Sequence, residues 1–345
     1  LLMTLDAEVN EEIATTALKA VFDRFAKSRK KTSGAGPNEW DAIANSKLSA
    51  ATSGDDSIAS VEAMYLRVRT EWCKEQRGGM WQDVLDRLLL DLSSMAELCT
   101  YHYQQCKIPA DASEAEQTAA ESDIFITRQL LGCIAKADFG DEGGRRKVVE
   151  MIRGMLQDTE TPTALIDDAM ACMKSAAMNE EEYIRAVVEV ISELKEPLEA
   201  EGEDDGDVVL LEQTWFQCLD LASGLLKSTQ RSLSNGQVKG LETTLLLPAV
   251  QHREASIRDR GVLALGQYCL LDKDVATRYL MLFLQAVRND MEAIQHTSMK
   301  VLYDMLFAFN LAGESTALSP LPLISSSRSE KSLCGAAVET DATDE

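Results

Sequence analysis

The residues able to do chemistry are few, and their spacing gives them little to work with. His102, His252 and His296 are the only histidines. His252 follows a predicted helix end, His296 lies within a helix, and no base, nucleophile and orienting acid come together around any of the three. A Gly-x4-Gly-Lys-Ser/Thr phosphate loop, a His-Glu-x-x-His metal helix and a Gly-x-Ser-x-Gly nucleophile elbow are all missing from the sequence. Cysteines stand at 73, 99, 106, 133, 172, 218, 269 and 334 with no Cys-x-x-Cys pair. Seven of them sit among helix-like apolar residues, as small reduced core residues do. In "CTYHYQQC", Cys99, His102 and Cys106 fall at i, i+3 and i+7 on one helical face. Zinc needs a fourth ligand and no distant His or Cys pair supplies it, so the cluster reads as packing. The sequence predicts no catalytic residue, no cofactor and no metal ligand, and therefore no enzyme.

Phosphate binding is the remaining chemistry to weigh. The stretch "FGDEGGRRKVVEMIRGML" at 139–156 puts two glycines and three cations at the start of an apolar-periodic run. Backbone N–H groups at a helix start attract anions, but a nucleotide loop normally follows a buried strand, and the preceding "IFITRQLLGCIAKADF" reads as a helix. The segment is predicted to be a helix–helix corner, with Asp141 and Glu142 partly offsetting its cations. Arg145, Arg146 and Lys147 suit phosphate oxygens without reading bases, and the basic "KSRKK" run adds Lys27, Arg29, Lys30 and Lys31. These seven are the candidate nucleic-acid contacts. Charge over the whole chain argues the other way. Lys and Arg total 34 against 57 Asp and Glu, a net of −23, so any DNA-binding face must be local. An acidic scaffold points first to protein partners.

Helices must position these groups, because period-2 alternation is nearly absent and apolar residues recur at three and four. Residues 1–31 form an N-terminal unit with a helix near 7–27, its predicted stripe being Ile13, Ala17, Val21 and Phe25. Residues 32–57, rich in Ser, Gly, Ala and Asp, read as a flexible linker. Helical repeats are predicted over 58–198, with helices at 58–76, at 80–107 (Trp81, Leu85, Leu88, Leu92, Met95) and at 114–138. Thr161-Pro162 fits an N-cap followed by proline at the first helical position. Asn179 and Glu182 resemble a capping arrangement for a helix carrying Tyr183, Val187, Val190, Ile191 and Leu194 and stopping before Pro197. An acidic linker follows at 199–207. A second block of repeats covers 208–311, and 312–345 is expected to be a disordered tail. No apolar run approaches the ~18 residues of a membrane span and no signal-peptide pattern opens the chain. A soluble intracellular protein with no membrane partner is expected. The first residue is leucine, as in a portion of a longer protein.

One internal signal is specific. A shift of 37 positions lays "LLLPAVQHREASIRDRGVLALGQYCLL", from Leu245, on "LFLQAVRNDMEAIQHTSMKVLYDMLFA", from Leu282. Leu247 falls on Leu284, Ala249 on Ala286, Val250 on Val287, Ile257 on Ile294, Val262 on Met299, Leu265 on Leu302 and Tyr268 on Met305. Apolar positions persist while exposed ones differ, as stacked helical pairs require. The predicted fold class is all-α, an α-solenoid of HEAT-like helical pairs.

Two stretches resemble one family, the HEAT-repeat G-type subunit of eukaryotic condensin. "RQLLGCIAKADFGDEGGRRKVVEMIRGML" is similar to a helix–corner–helix of its C-terminal region, including the Asp-Glu-x-Gly-Arg-Arg-Lys run at 141–147. "EYIRAVVEVISELKEPLE" and "LLLPAVQHREASIRDRGVLALGQYCLLDKDVA…YLMLFLQAVRND" are similar to its closing repeats, and 58–106 fits less specifically. The resemblance covers about 60–300 and implies the C-terminal portion of a non-catalytic scaffold. Such a scaffold binds the kleisin subunit of condensin and, jointly with kleisin, holds double-stranded DNA. The structural-maintenance-of-chromosomes ATPase pair and a second HEAT subunit join through the complex. The implied location is the nucleus and condensed chromosomes, with the cytoplasm in interphase. The net charge departs from a DNA-binding role, and the tail beyond 311 has no counterpart in the family. The alternative is another α-solenoid adaptor, a transport or phosphatase scaffold, which would account for the repeat but not for the matches at 123–157.

Overall fold

An amphipathic helix carries an apolar stripe too wide for one neighbour to cover, and two layers of helices solve that problem here. The computed structural model describes residues 8, 10–29, 39–53, 58–76, 80–107, 112–200, 208–229 and 235–309. Among them are α1 (Glu11–Arg29), α2 (Glu39–Thr52), α3 (Ser60–Glu75), α4 (Met80–Leu88), α5 (Leu92–Gln105), α6 (Glu114–Ile134), α7 (Glu142–Gln157) and α8 (Thr163–Ala176). They continue as α9 (Glu180–Ala200), α10 (Val208–Ser228), α11 (Gly236–Leu241), a π-helical turn (Glu242–Leu246), α12 (Leu247–Val250), α13 (Ala255–Cys269), α14 (Lys273–Asn289) and α15 (Glu292–Phe309). The described residues contain no strand. One layer is the ladder α1, α3, α6, α8, α10, α13, α15, each packed on the next. The other runs α2, α5, α7, α9, α11, and the hairpins α5–α6, α7–α8, α9–α10, α12–α13 and α14–α15 tie the layers together. A continuous apolar core follows, from Ala14 in α1 to Met305 in α15. This is the predicted solenoid of HEAT-like pairs.

Local boundaries depart from the prediction in instructive ways. The buried stripe of α1 is Ala14, Leu18 and Phe22, and Ile13 is exposed. Both stripes obey the same four-residue spacing, and α1 turns the second one onto α3, where Phe22 meets the Tyr65 and Trp72 rings. Residues 39–52, predicted as linker, form α2. Ala44 and Leu48 are buried, and Asp41 accepts from Arg69 Nε and Nη2 at 3.0 and 2.9 Å and from the Tyr65 hydroxyl at 2.8 Å. Residues 80–107 are two helices rather than one, because Asp91 caps α5 by accepting from the Ser94 backbone N–H at 3.0 Å. Thr161 caps nothing. Its hydroxyl donates to the Met155 carbonyl at 2.6 Å, and Pro162 is the residue ahead of α8. Helix α9 continues past Pro197 to Ala200; the proline has no N–H for the Glu193 carbonyl, and only three residues of helix follow it. Between α11 and α12 the helix is interrupted by the π-helical turn. Pro248 has no N–H to give the Thr244 carbonyl, and Lys195 of α9 donates to that carbonyl at 2.6 Å. The predicted tail at 312–345 lies outside the described residues, as does the acidic linker beyond Ala200.

Candidate functional site

The glycine corner is built by α6, α7 and their neighbours. Asp141 caps α7, its carboxylate accepting from the Gly143 N–H at 3.2 Å and the Gly144 N–H at 2.8 Å. The protein's own carboxylate therefore occupies the amides that an incoming phosphate would use. A Cβ at Gly144 would lie 2.7 Å from Leu92 Cβ, whereas one at Gly143 meets only ordinary contacts. Gly144 is thus explained by the close approach of α7 to the start of α5.

The three cations of the corner have different jobs. Arg145 is 12% exposed and bonds Glu142 at 2.8 Å, the Ala176 carbonyl at 3.3 Å and Glu182 at 3.4 Å. It staples α7 to the end of α8 and the start of α9. Arg146 is 76% exposed and pairs with Glu142 at 2.7 Å, and Lys147 pairs with Glu97 of α5 at 2.8 Å. Hydrogen bonds from Arg145, then Arg146, hold the Glu142 carboxyl down at about 2. Of the other predicted phosphate contacts, Lys27 is exposed near the end of α1 and Arg29 closes that helix, while Lys30 and Lys31 lie outside the described residues. Helix α1 packs on α3, whereas α7 packs on α5, α8 and α9. The two basic groups belong to different repeats.

The Cys99, His102 and Cys106 side chains share a face but serve separate partners. The His102 Nδ1 faces Asp123 Oδ1 at 2.6 Å, and the Cys106 thiol donates to the His102 carbonyl at 3.2 Å. Cys99 is fully buried, and burial raises its thiol well above the ordinary range. Burial likewise pushes Cys73 and Cys106 up to about 11 and Cys133 and Cys218 up to about 12. No group of three or more His, Cys, Asp or Glu among the described residues is placed to hold a metal. The His252 ring lies tilted against Trp215, ring centroids 5.4 Å apart, and burial lowers its pKa. His296 is exposed on α15. None of the described helices is long and apolar enough to cross a membrane.

Sequence reasoning missed a groove of about 640 Å³ between α5 and α7. Ala96, Thr100, Tyr101, Met151 and Gly154 line it, with Lys107 and Lys147 at its rim. Two signals could have found it. Tyr101 is an exposed aromatic on the predicted 80–107 helix, and Gly154 stands mid-helix with open space where its side chain would be.

Comparison with known proteins adds a family likeness. Residues 217–322 match the Cnd3 family model, described as "Nuclear condensing complex subunits, C-term domain". Condensin complex subunit 3 of Xenopus laevis is 22% identical over 327 residues, covering 74% of this chain and 32% of the relative. The protein of the same name from Schizosaccharomyces pombe is 22% identical over 350 residues, covering 89% of this chain and 37% of the relative. The chain spans about a third of the length of these relatives. The crystal structure of the S. pombe condensin Cnd3–Cnd2 subcomplex superposes with a TM-score of 0.67 at 22% identity, over 90% of this chain and 38% of that one. Two layers of stacked hairpins, the Cnd3 match and the superposition together make this chain similar, in sequence and in fold, to a stretch of condensin subunit 3.

Proposed function

We propose that the chain is part of a non-catalytic HEAT-repeat scaffold subunit of condensin, which binds the kleisin subunit and with it holds double-stranded DNA for mitotic chromosome condensation. The observation that carries this reading is the superposition of 90% of the chain on the Cnd3–Cnd2 subcomplex. A solenoid suits the task, since its long surface seats an extended chain and its local cations grip phosphate regardless of sequence. In this reading the ATPase pair and the second HEAT subunit join through the complex, and the protein works on condensed chromosomes in the nucleus. Another α-solenoid adaptor would share the ladder without the family match.

Affinity capture from dividing cells followed by mass spectrometry tests the assignment. Recovery of a kleisin and two long ATPases is expected; stable recovery of transport cargo or a phosphatase instead would sink it. DNA holding needs its own measurement. With a net charge of −23, the chain alone should bind duplex DNA weakly and gain salt-sensitive affinity once kleisin is added. Arg146→Glu with Lys147→Glu is the informative variant, because Arg145 also holds three helices together. Unchanged affinity of the kleisin complex in that variant would remove the corner from the DNA surface.

A further inference from the structure

We propose that the groove between α5 and α7 binds an arginine side chain carried on an extended basic segment of a protein partner. The fold braces this groove at both ends. At one end α7 comes close to α5, where a Cβ at Gly144 would lie 2.7 Å from Leu92 Cβ, and Lys147 bonds Glu97 at 2.8 Å. At the other, the Tyr103 hydroxyl of α5 donates to Asp158 at 2.7 Å, and Lys107 pairs with the same carboxylate. Between the braces the helices present small residues, Ala96 and Thr100 from α5 and Gly154 from α7. Packing does not explain Gly154. A Cβ there would meet no atom within 4 Å, although glycine weakens a helix interior relative to alanine. The space it leaves belongs to the groove.

Charge decides which side chain fits. Both lysines at the groove already have partners, Lys107 in Asp158 and Lys147 in Glu97. Glu150 lines it too, exposed, and its carboxylate makes no ion pair or hydrogen bond among the described residues. From α5, Tyr101 presents a ring that is 54% exposed and set edge-on against buried His102, centroids 5.3 Å apart. An open carboxylate, an aromatic ring and an apolar trough together suit a cation on an apolar stem. The methylenes lie along Met151 and Gly154, and the charged head reaches Tyr101 and Glu150. Arginine fits better than lysine, because its planar guanidinium covers a ring face and offers a carboxylate two parallel N–H bonds. Ala96 and Gln104 stand eight residues apart on α5, roughly 12 Å along a helix, a length that about four extended residues match. The net charge of −23 draws a basic segment towards the chain.

Methyl NMR on the full chain, labelled with carbon-13 at its methionine methyls, tests this. The probes are the capped pentapeptide Ala-Ala-Arg-Ala-Ala and its citrulline counterpart, which keeps the shape of arginine without the charge. The arginine peptide should shift the Met151 methyl saturably. Affinity should fall about tenfold or more with the citrulline peptide, and by a similar factor in Glu150→Gln. Gly154→Leu, which fills the trough, should abolish the shift with helical circular dichroism retained. Equal affinity for the citrulline peptide, or undiminished affinity in Glu150→Gln, would overturn the arginine site. Shifts of the same size at exposed Met178 and Met291 would also overturn it, as diffuse attraction to an acidic chain, and so would no shift at Met151. The inference does not rest on the condensin reading, and kleisin capture is scored separately.

Discussion

At the scale of single residues, neighbouring cations of one sequence run diverge in what they do. Arg145 and Arg146 both bond Glu142, yet only Arg145 reaches a second and third helix, and it does so with 12% of its side chain exposed. Charged hydrogen bonds shielded from solvent retain much of their value, whereas exposed pairs retain little. Arg145→Ala should therefore cost about 1–2 kcal/mol in urea unfolding and Arg146→Ala about 0–0.5 kcal/mol. Equal losses would mean the staple is not a structural device. Glu142 sets a pH dependence at the same spot. Its carboxyl sits at about 2 in the folded chain, against ~4.3 when unfolded. A depressed folded value contributes stability above the unfolded pKa and loses it as pH falls towards the folded one. The melting temperature of the protein should exceed that of Glu142→Gln at pH 6, and the gap should close between about pH 4.5 and 2. A gap that widens on acidification would contradict the assignment.

Elements were legible where apolar residues were large and periodic, and illegible where small or polar residues carried the fold. The stripe Tyr183, Val187, Val190, Ile191 and Leu194 is buried as its spacing predicts, and the Asn179 cap accepts from the Glu182 N–H at 2.9 Å. Helix α2 escaped notice because its inward residues are alanine and a single leucine amid Ser and Asn, a composition that reads as linker. What anchors it is the Asp41 bond to Arg69, a contact across 28 positions that periodicity cannot show. The break between α4 and α5 was hidden in the same way, by "LLLDL", whose leucines continue the stripe across the Asp91 cap. Arg69 has a side chain only 5% exposed, and removing its partner would leave a nearly buried charge against the Phe22 and Trp72 rings. Asp41→Ala should thus destabilise the chain by about 2–4 kcal/mol in equilibrium unfolding, and Asp91→Ala by about 1 kcal/mol through loss of its cap. A loss at Asp41 no larger than that at Asp91 would show that α2 is not held by this pair. The candidate DNA contacts were legible as a charged run but not as a surface, since only packing reveals that Asp141 fills the helix start and that Arg145 faces inward.

For the whole molecule, the ladder makes stability a property of neighbouring pairs rather than of one central core. The 37-residue offset anticipated this, and the largest difference in burial among its aligned pairs, Val262 against Met299, is physical. Val262 is buried by α15, while Met299 has no described helix beyond it. A close approach between α13 and α15 falls at Gly266, where a Cβ would lie 2.5 and 2.6 Å from the two methyls of Val301. A β-branched valine cannot rotate out of the way within a helix, so a larger side chain must push α15 off α13. Replacing Gly by Ala gains about 1 kcal/mol of helix propensity, which offsets much of a one-methyl clash. Gly266→Leu adds overpacking of about 1–3 kcal/mol or more and tips the balance. Because each rung touches only its neighbours, the damage should stay local. Amide exchange in α14 and α15 should quicken by about tenfold or more, while α3, α6 and α8 keep their protection. Uniform loss of protection from α3 to α15 would mean that the chain unfolds as one body, and that the stacked hairpins are a single cooperative core.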